Sequence, residues 1–164
     1  MLTDTTRFKI RTDEETMTRE ELAYLAGVID GEGTISVTSD RACGSLFACY
    51  LSIGNTSYEL ISRIKDWIGS GSFQEKKVKK NYYKPYYVFT LRGDKLRSLL
   101  PQIQEFLVVK KPQAKLLGEL LSLTGQHLKF YQRLHPDMFK TCQRLSLELH
   151  QLNQKTNKLK ETKI

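Results

Sequence analysis

A chain of 164 residues with 40% hydrophobic and 27% charged side chains can close one domain around a real core. Its 26 Lys and Arg against 18 Asp and Glu leave a net charge of +8, which points to a polyanionic partner, nucleic acid before an anionic membrane. No apolar run is long enough to span a bilayer, and three cysteines without a CxxC pair argue for reduced thiols in an intracellular protein, not for a disulfide frame or a zinc site.

Residues 1–17 lack the apolar stretch of a secretory signal and are too acidic for a transit peptide. They read as a polar arm ahead of a single domain spanning 18–164. The domain opens with Thr18-Arg19-Glu20-Glu21, a capping box in which the Thr18 hydroxyl takes the Glu21 N–H and the Glu21 carboxylate reaches back. Leu22, Leu25, Ala26 and Ile29 follow at helical spacing and define a core face. A second face holds Ala23, Gly27 and Gly31, small enough for another backbone to come unusually close. The helix is expected to end near Asp30 or Gly31, with two acids, Asp30 and Glu32, set among glycines.

Segments 34–40 and 46–53 alternate with period two and read as an antiparallel hairpin turning around 41–45. Phe47, Cys49, Leu51 and Ile53 point inward, so Cys49 is expected to be a small core residue. A second helix over 56–71 carries Leu60, Ile61, Ile64, Trp67 and Ile68. A second hairpin covers 72–93, with a basic loop interleaved with tyrosines. Helices follow over 94–106, over 110–125 with Pro112 in the first turn, and from Pro136 to about Leu159.

This order implies an α+β fold with an αββαββα core, a four-stranded antiparallel sheet with helices on one face, and additional C-terminal helices. The other face then shows Ser36, Thr38, Asp40, Tyr50, Ser52, Gln74, Lys76, Tyr86, Val88 and Thr90, with Lys84 beside them and Lys155 and Lys158 in the basic tail. Hydroxyls, amides and amines on such a face suit base edges and phosphates. An ordinary solvated face with a lysine-rich edge has the same composition.

The nine residues Leu25 to Gly33, LAGVIDGEG, resemble the signature of the LAGLIDADG homing endonucleases. The chain is also similar to the single-motif members in length, element order and charge, with "IGNTSYELI" and "LVVKKPQA" as further points of likeness. The resemblance implies a homodimer that packs its motif helices together through Ala23, Gly27, Asp30 and Gly31. It implies that Glu32 and the Gly31 carbonyl bind a catalytic divalent metal, while Asp30 supports the helix turn. Many members carry Asp where this chain has Glu32; charge and ligand type are the same. Lys110 and Asn55 map to the positions that assist at the phosphate and hold the water.

The implied activity is site-specific cleavage of a long pseudo-palindromic DNA target by metal-dependent hydrolysis, leaving short 3′ overhangs. The metal is expected to be Mg²⁺, with Mn²⁺ substituting and Ca²⁺ supporting binding without cleavage. Two other readings stay open from the sequence: an RNA maturase acting on a host intron, and a DNA-binding regulator that has lost cleavage. The intact Glu32 and Lys110 stand against the last.

Overall fold

The computed structural model describes residues 17–40, 45–76, 84–125 and 135–161. In chain order these form α1 (Arg19–Glu32), β1 (Gly33–Asp40), β2 (Ser45–Asn55), α2 (Tyr58–Ile68), β3 (Ser72–Lys76), β4 (Tyr86–Arg92), α3 (Gly93–Gln104), α4 (Lys111–Gly125) and α5 (Pro136–Glu161). The arm at 1–16, the first turn at 41–44, the basic loop at 77–83 and the segment at 126–134 lie outside the described residues.

The four strands form one antiparallel sheet in the order β1-β2-β4-β3, so the two hairpins meet along β2 and β4. Alternation sorts the side chains as expected. Ile35, Val37, Cys49, Leu51, Ile53, Phe89 and Leu91 are buried on one face, in one core with Leu25, Ile29, Ile61, Ile64, Leu96 and Leu100 of the helices. The result is the α+β arrangement that the sequence implied, with helices packed on one side of the sheet.

Element ends differ from the expected ones by a few residues, each for a local reason. The Gly33 N–H still bonds the Ile29 carbonyl, so α1 runs through Glu32. Ser57 accepts the Leu60 N–H at 3.3 Å and starts α2 at Tyr58, a little later than the expected start at 56. The long α5 leans on the sheet through a Phe47–Phe139 ring contact at 5.6 Å. Its Asn153 Nδ2 donates to the Ile35 carbonyl at 3.0 Å, which occupies a backbone acceptor of the edge strand β1.

Cys49 and Cys142 are both buried. Burial pushes the Cys49 thiol up to about 12 and the Cys142 thiol upward as well, because the thiolate loses its water. At pH 8 the thiolate fraction of Cys49 is therefore roughly one part in ten thousand. In a Cys43→Ser background, a disulfide-exchange reagent at pH 8 is expected to find no fast thiol in the native protein and two after unfolding. A fast-reacting native thiol would contradict the burial of this part of the core.

Candidate active site and nucleic-acid interface

The site is built where α1 ends. Leu25, Ala26 and Ile29 bury one side of this helix, and the capping box fixes its start, with Thr18 N to Glu21 Oε2 at 2.9 Å and Glu21 N to Thr18 Oγ1 at 3.3 Å. At Gly33 an added Cβ would meet the Cα and carbonyl oxygen of Ile29 at 2.8 Å, so only glycine lets the chain pass directly from helix to strand.

Two charged side chains then lock this end in opposite senses. The Asp30 carboxylate accepts three backbone N–H groups in the linker before α4: Val108 at 2.8 Å, Val109 at 3.1 Å and Lys110 at 2.8 Å. In return the Lys110 Nζ donates to the carbonyls of Ile29 at 2.8 Å and Asp30 at 2.6 Å. A carboxylate thus meets N–H groups at the start of one helix and an ammonium meets carbonyls at the end of another, each matching the local dipole. Lys110 is only 8% exposed, so its amine is not a solvated surface charge, although Lys111 beside it is exposed. Asp30 is half-buried on the flank of α1 and committed to this linker.

Glu32 differs from Asp30 in every respect. It is the last residue of α1 and is exposed, and among the described residues no side chain pairs with it. β1 begins at Gly33 opposite Ile53, so Asn55, the last residue of β2, ends beside the junction that carries Glu32. Asn55 Oδ1 accepts the Ser57 N–H at 2.8 Å in the turn into α2. What Asn55 has left to offer a water or a phosphate is therefore its NH₂ group, a donor. The structure brings together Glu32, the Gly31 backbone, Lys110 and Asn55, residues drawn from three segments of the chain.

The adjoining face of α1 is bare. Ala23, Gly27 and Gly31 are exposed, and a Cβ at Gly27 or Gly31 would have nothing within 4 Å. Among the described residues nothing requires glycine at these two positions.

The far face of the sheet carries most of the expected polar residues. Thr34, Ser52, Thr90 and Ser72 form a hydroxyl row across all four strands, with Ser52 Oγ donating to the Phe89 carbonyl at 3.3 Å and lying 3.4 Å from Thr90 Oγ1. Thr38, Gln74, Lys76, Lys84 and Tyr86 are exposed, and Tyr50, Val88 and Thr90 are half-buried. Ser36 departs from expectation. It lies on this face opposite Tyr50 but is 5% exposed, so its hydroxyl is not on display. Tyr86 leans across the sheet, and a Cβ at Gly54 would run into its hydroxyl. The side chains of Asp40, Lys155 and Lys158 lie outside the described ones. Sequence reasoning missed Arg92, which pairs with Tyr50 across β2 and β4 and holds its guanidinium 5.6 Å from the Tyr50 ring centroid. The alternation that picked Val88 and Thr90 reaches Arg92 when carried two residues further.

No family model and no curated protein matches this chain. Solved structures do. An archaeal intron-encoded homing endonuclease, I-Vdi141I, in complex with DNA, is 26% identical with a TM-score of 0.66, over 81% of this chain and 84% of that one. The homing endonuclease I-CvuI, with its DNA target in the presence of 2 mM Ca, is 20% identical with a TM-score of 0.64, over 82% of each chain. The LAGLIDADG meganuclease I-AabMI, bound to uncleaved DNA, is 18% identical with a TM-score of 0.59; the match covers 76% of this chain but 43% of that one.

Replacing Asp30 by Ala leaves the three linker N–H groups without their acceptor. The expected cost is about 1–3 kcal/mol in urea unfolding, with Asp30→Asn losing less because one amide oxygen remains. A loss below about 0.5 kcal/mol for Asp30→Ala would mean that the lock is not holding the helix end.

Proposed function

We propose that this chain, which has the fold of the LAGLIDADG homing endonucleases, is a site-specific endonuclease of double-stranded DNA that works as a homodimer. The observation that carries this reading is the end of α1: an exposed Glu32 at a helix C-terminus, beside a face whose two glycines have open space around them. A second copy packed along Ala23, Gly27 and Gly31 accounts for that bareness, since small residues let two helix backbones approach closely. That I-AabMI has more than twice the length covered here agrees with two such units being needed for one complete enzyme.

The donors available at the helix end fit a hard divalent cation. One free carboxylate and a main-chain carbonyl, in the negative field of a helix C-terminus, suit Mg²⁺, which takes few protein ligands and completes its shell with water and phosphate oxygens. Glu32 and the Gly31 carbonyl would hold it, and Mn²⁺ and Ca²⁺ share the preference for oxygen. When bound, such an ion supplies charge neutralisation at phosphorus and a more acidic water.

The chain's own groups do the rest. The sheet face lies in the major groove and sets the scissile phosphate against the helix end, an orientation that removes much of the entropic barrier. Lys110 holds a positive charge beside the site, where it opposes the negative charge that grows on the phosphate during attack. The Asn55 NH₂ donates to the attacking water or to a phosphate oxygen and so fixes its approach. Two protomers carry two such sites and cut both strands of a pseudo-palindromic target, with short 3′ overhangs.

Glu32→Gln is expected to lower cleavage by roughly a hundredfold or more while the protein still retards target DNA in Ca²⁺. Cleavage at the wild-type rate would remove Glu32 from the mechanism. Gly27→Leu is expected to turn the dimer into a monomer in sedimentation without lowering the thermal midpoint of the protomer, because a side chain there meets no neighbour in the protomer. An intact Gly27→Leu dimer would contradict the seam.

A further inference from the structure

We infer that Arg92, braced by the Tyr50 ring, reads a guanine in each half of the target. The inference rests on the proposed DNA endonuclease and adds a residue that determines its specificity. β4 pairs with β2 as far as Arg92, opposite Tyr50, while β3 stops opposite Thr90, so Arg92 stands on the outer face at the end of β4 with the Tyr50 ring drawing its side chain toward the β2 side of that face. Around Arg92 the same face offers Tyr50, Ser52 and Thr90, none of them acidic, and among the described residues no carboxylate neutralises it there.

The contact suits base reading. With its guanidinium over the Tyr50 ring, 5.6 Å from the centroid, Arg92 is restrained by a cation–π contact, and among the described residues no hydrogen bond takes its N–H donors. That fork matches the O6 and N7 acceptors that guanine presents in the major groove, a pairing that lysine cannot reproduce. The row Ser36–Tyr50–Arg92 stands three residues along β1 from Gly33, where the catalytic end begins. At 3.3 Å per residue that is about 10 Å, or roughly three base-pair steps from the cut.

The test is selection of a randomised DNA duplex library by the full-length protein in Ca²⁺, for wild type and variants. Wild type is expected to enrich guanine at one symmetric position in each half-site. Arg92→Ala is expected to lose that preference by roughly ten- to a hundredfold, with other positions unchanged. Arg92→Lys is expected to retain overall affinity but lose the guanine. Tyr50→Phe, which keeps the ring, should keep the preference, and Tyr50→Leu should broaden it. Uniform weakening by Arg92→Ala, with the base profile intact, would make Arg92 a phosphate contact and overturn the assignment. So would an unchanged profile. If wild type enriches no duplex, the endonuclease reading falls and this assignment falls with it.

Discussion

The reciprocal lock between Asp30 and Lys110 is the contact on which the rest of the site depends. It ties the end of the first helix to a linker some 80 residues later in the chain: three N–H groups converge on one carboxylate, and one ammonium serves two carbonyls. A lysine this deeply buried is costly unless its donors are satisfied, and the helix carbonyls satisfy them. The lock fixes where α1 stops, and so where Glu32 emerges. It also assigns the two acids of LAGVIDGEG to different tasks. Asp30 is spent on structure, which leaves Glu32 as the carboxylate open to a ligand.

α1 serves several neighbours because successive residues turn by about 100°. One side, with Leu25, Ala26 and Ile29, fills the core. One flank meets the linker, through Asp30 and through Arg19, whose guanidinium lies 5.4 Å from the Phe106 ring centroid. The opposite flank rests Tyr24 edge-on against Trp67 at 5.7 Å. Among the described residues, nothing lies within 4 Å of a Cβ placed at Gly27 or Gly31, and Ala23 in the same strip is exposed. In the proposed dimer that strip becomes the seam and brings two Glu32 sites near the two-fold axis, which couples the assembly to the chemistry through a single helix.

Much of this was legible in the sequence because the signals were local. Period-two alternation placed Cys49, Leu51 and Ile53 in the core, the capping box marked Thr18, and the glycines stopped the helices near their observed ends. The nine-residue motif singled out Glu32 as a candidate, and the separate likeness of LVVKKPQA singled out Lys110. What stayed hidden depended on contacts between distant segments. Ser36 has the parity of a surface residue yet is buried opposite Tyr50. Lys110 precedes Lys111 at a helix start, and nothing local says that its amine turns back to carbonyls of another helix. Asn55 spends its oxygen on a turn, which only the backbone path into α2 reveals. Arg92 was a different kind of omission: its parity was readable, but it stands at the strand's last position before Gly93.

The central claim is that two copies of α1 pack closely enough to form one enzyme, and cysteine cross-linking measures that approach directly. Cysteine placed in turn at Ala23, Gly27 and Gly31, in a Cys43→Ser background, bonds to its symmetry mate only where the Cα atoms come within about 7 Å. Under mild oxidation the account predicts a disulfide-linked dimer from Gly27→Cys or Gly31→Cys, formed at micromolar protein and insensitive to dilution within the dimer range. Monomer alone from all three variants would contradict it.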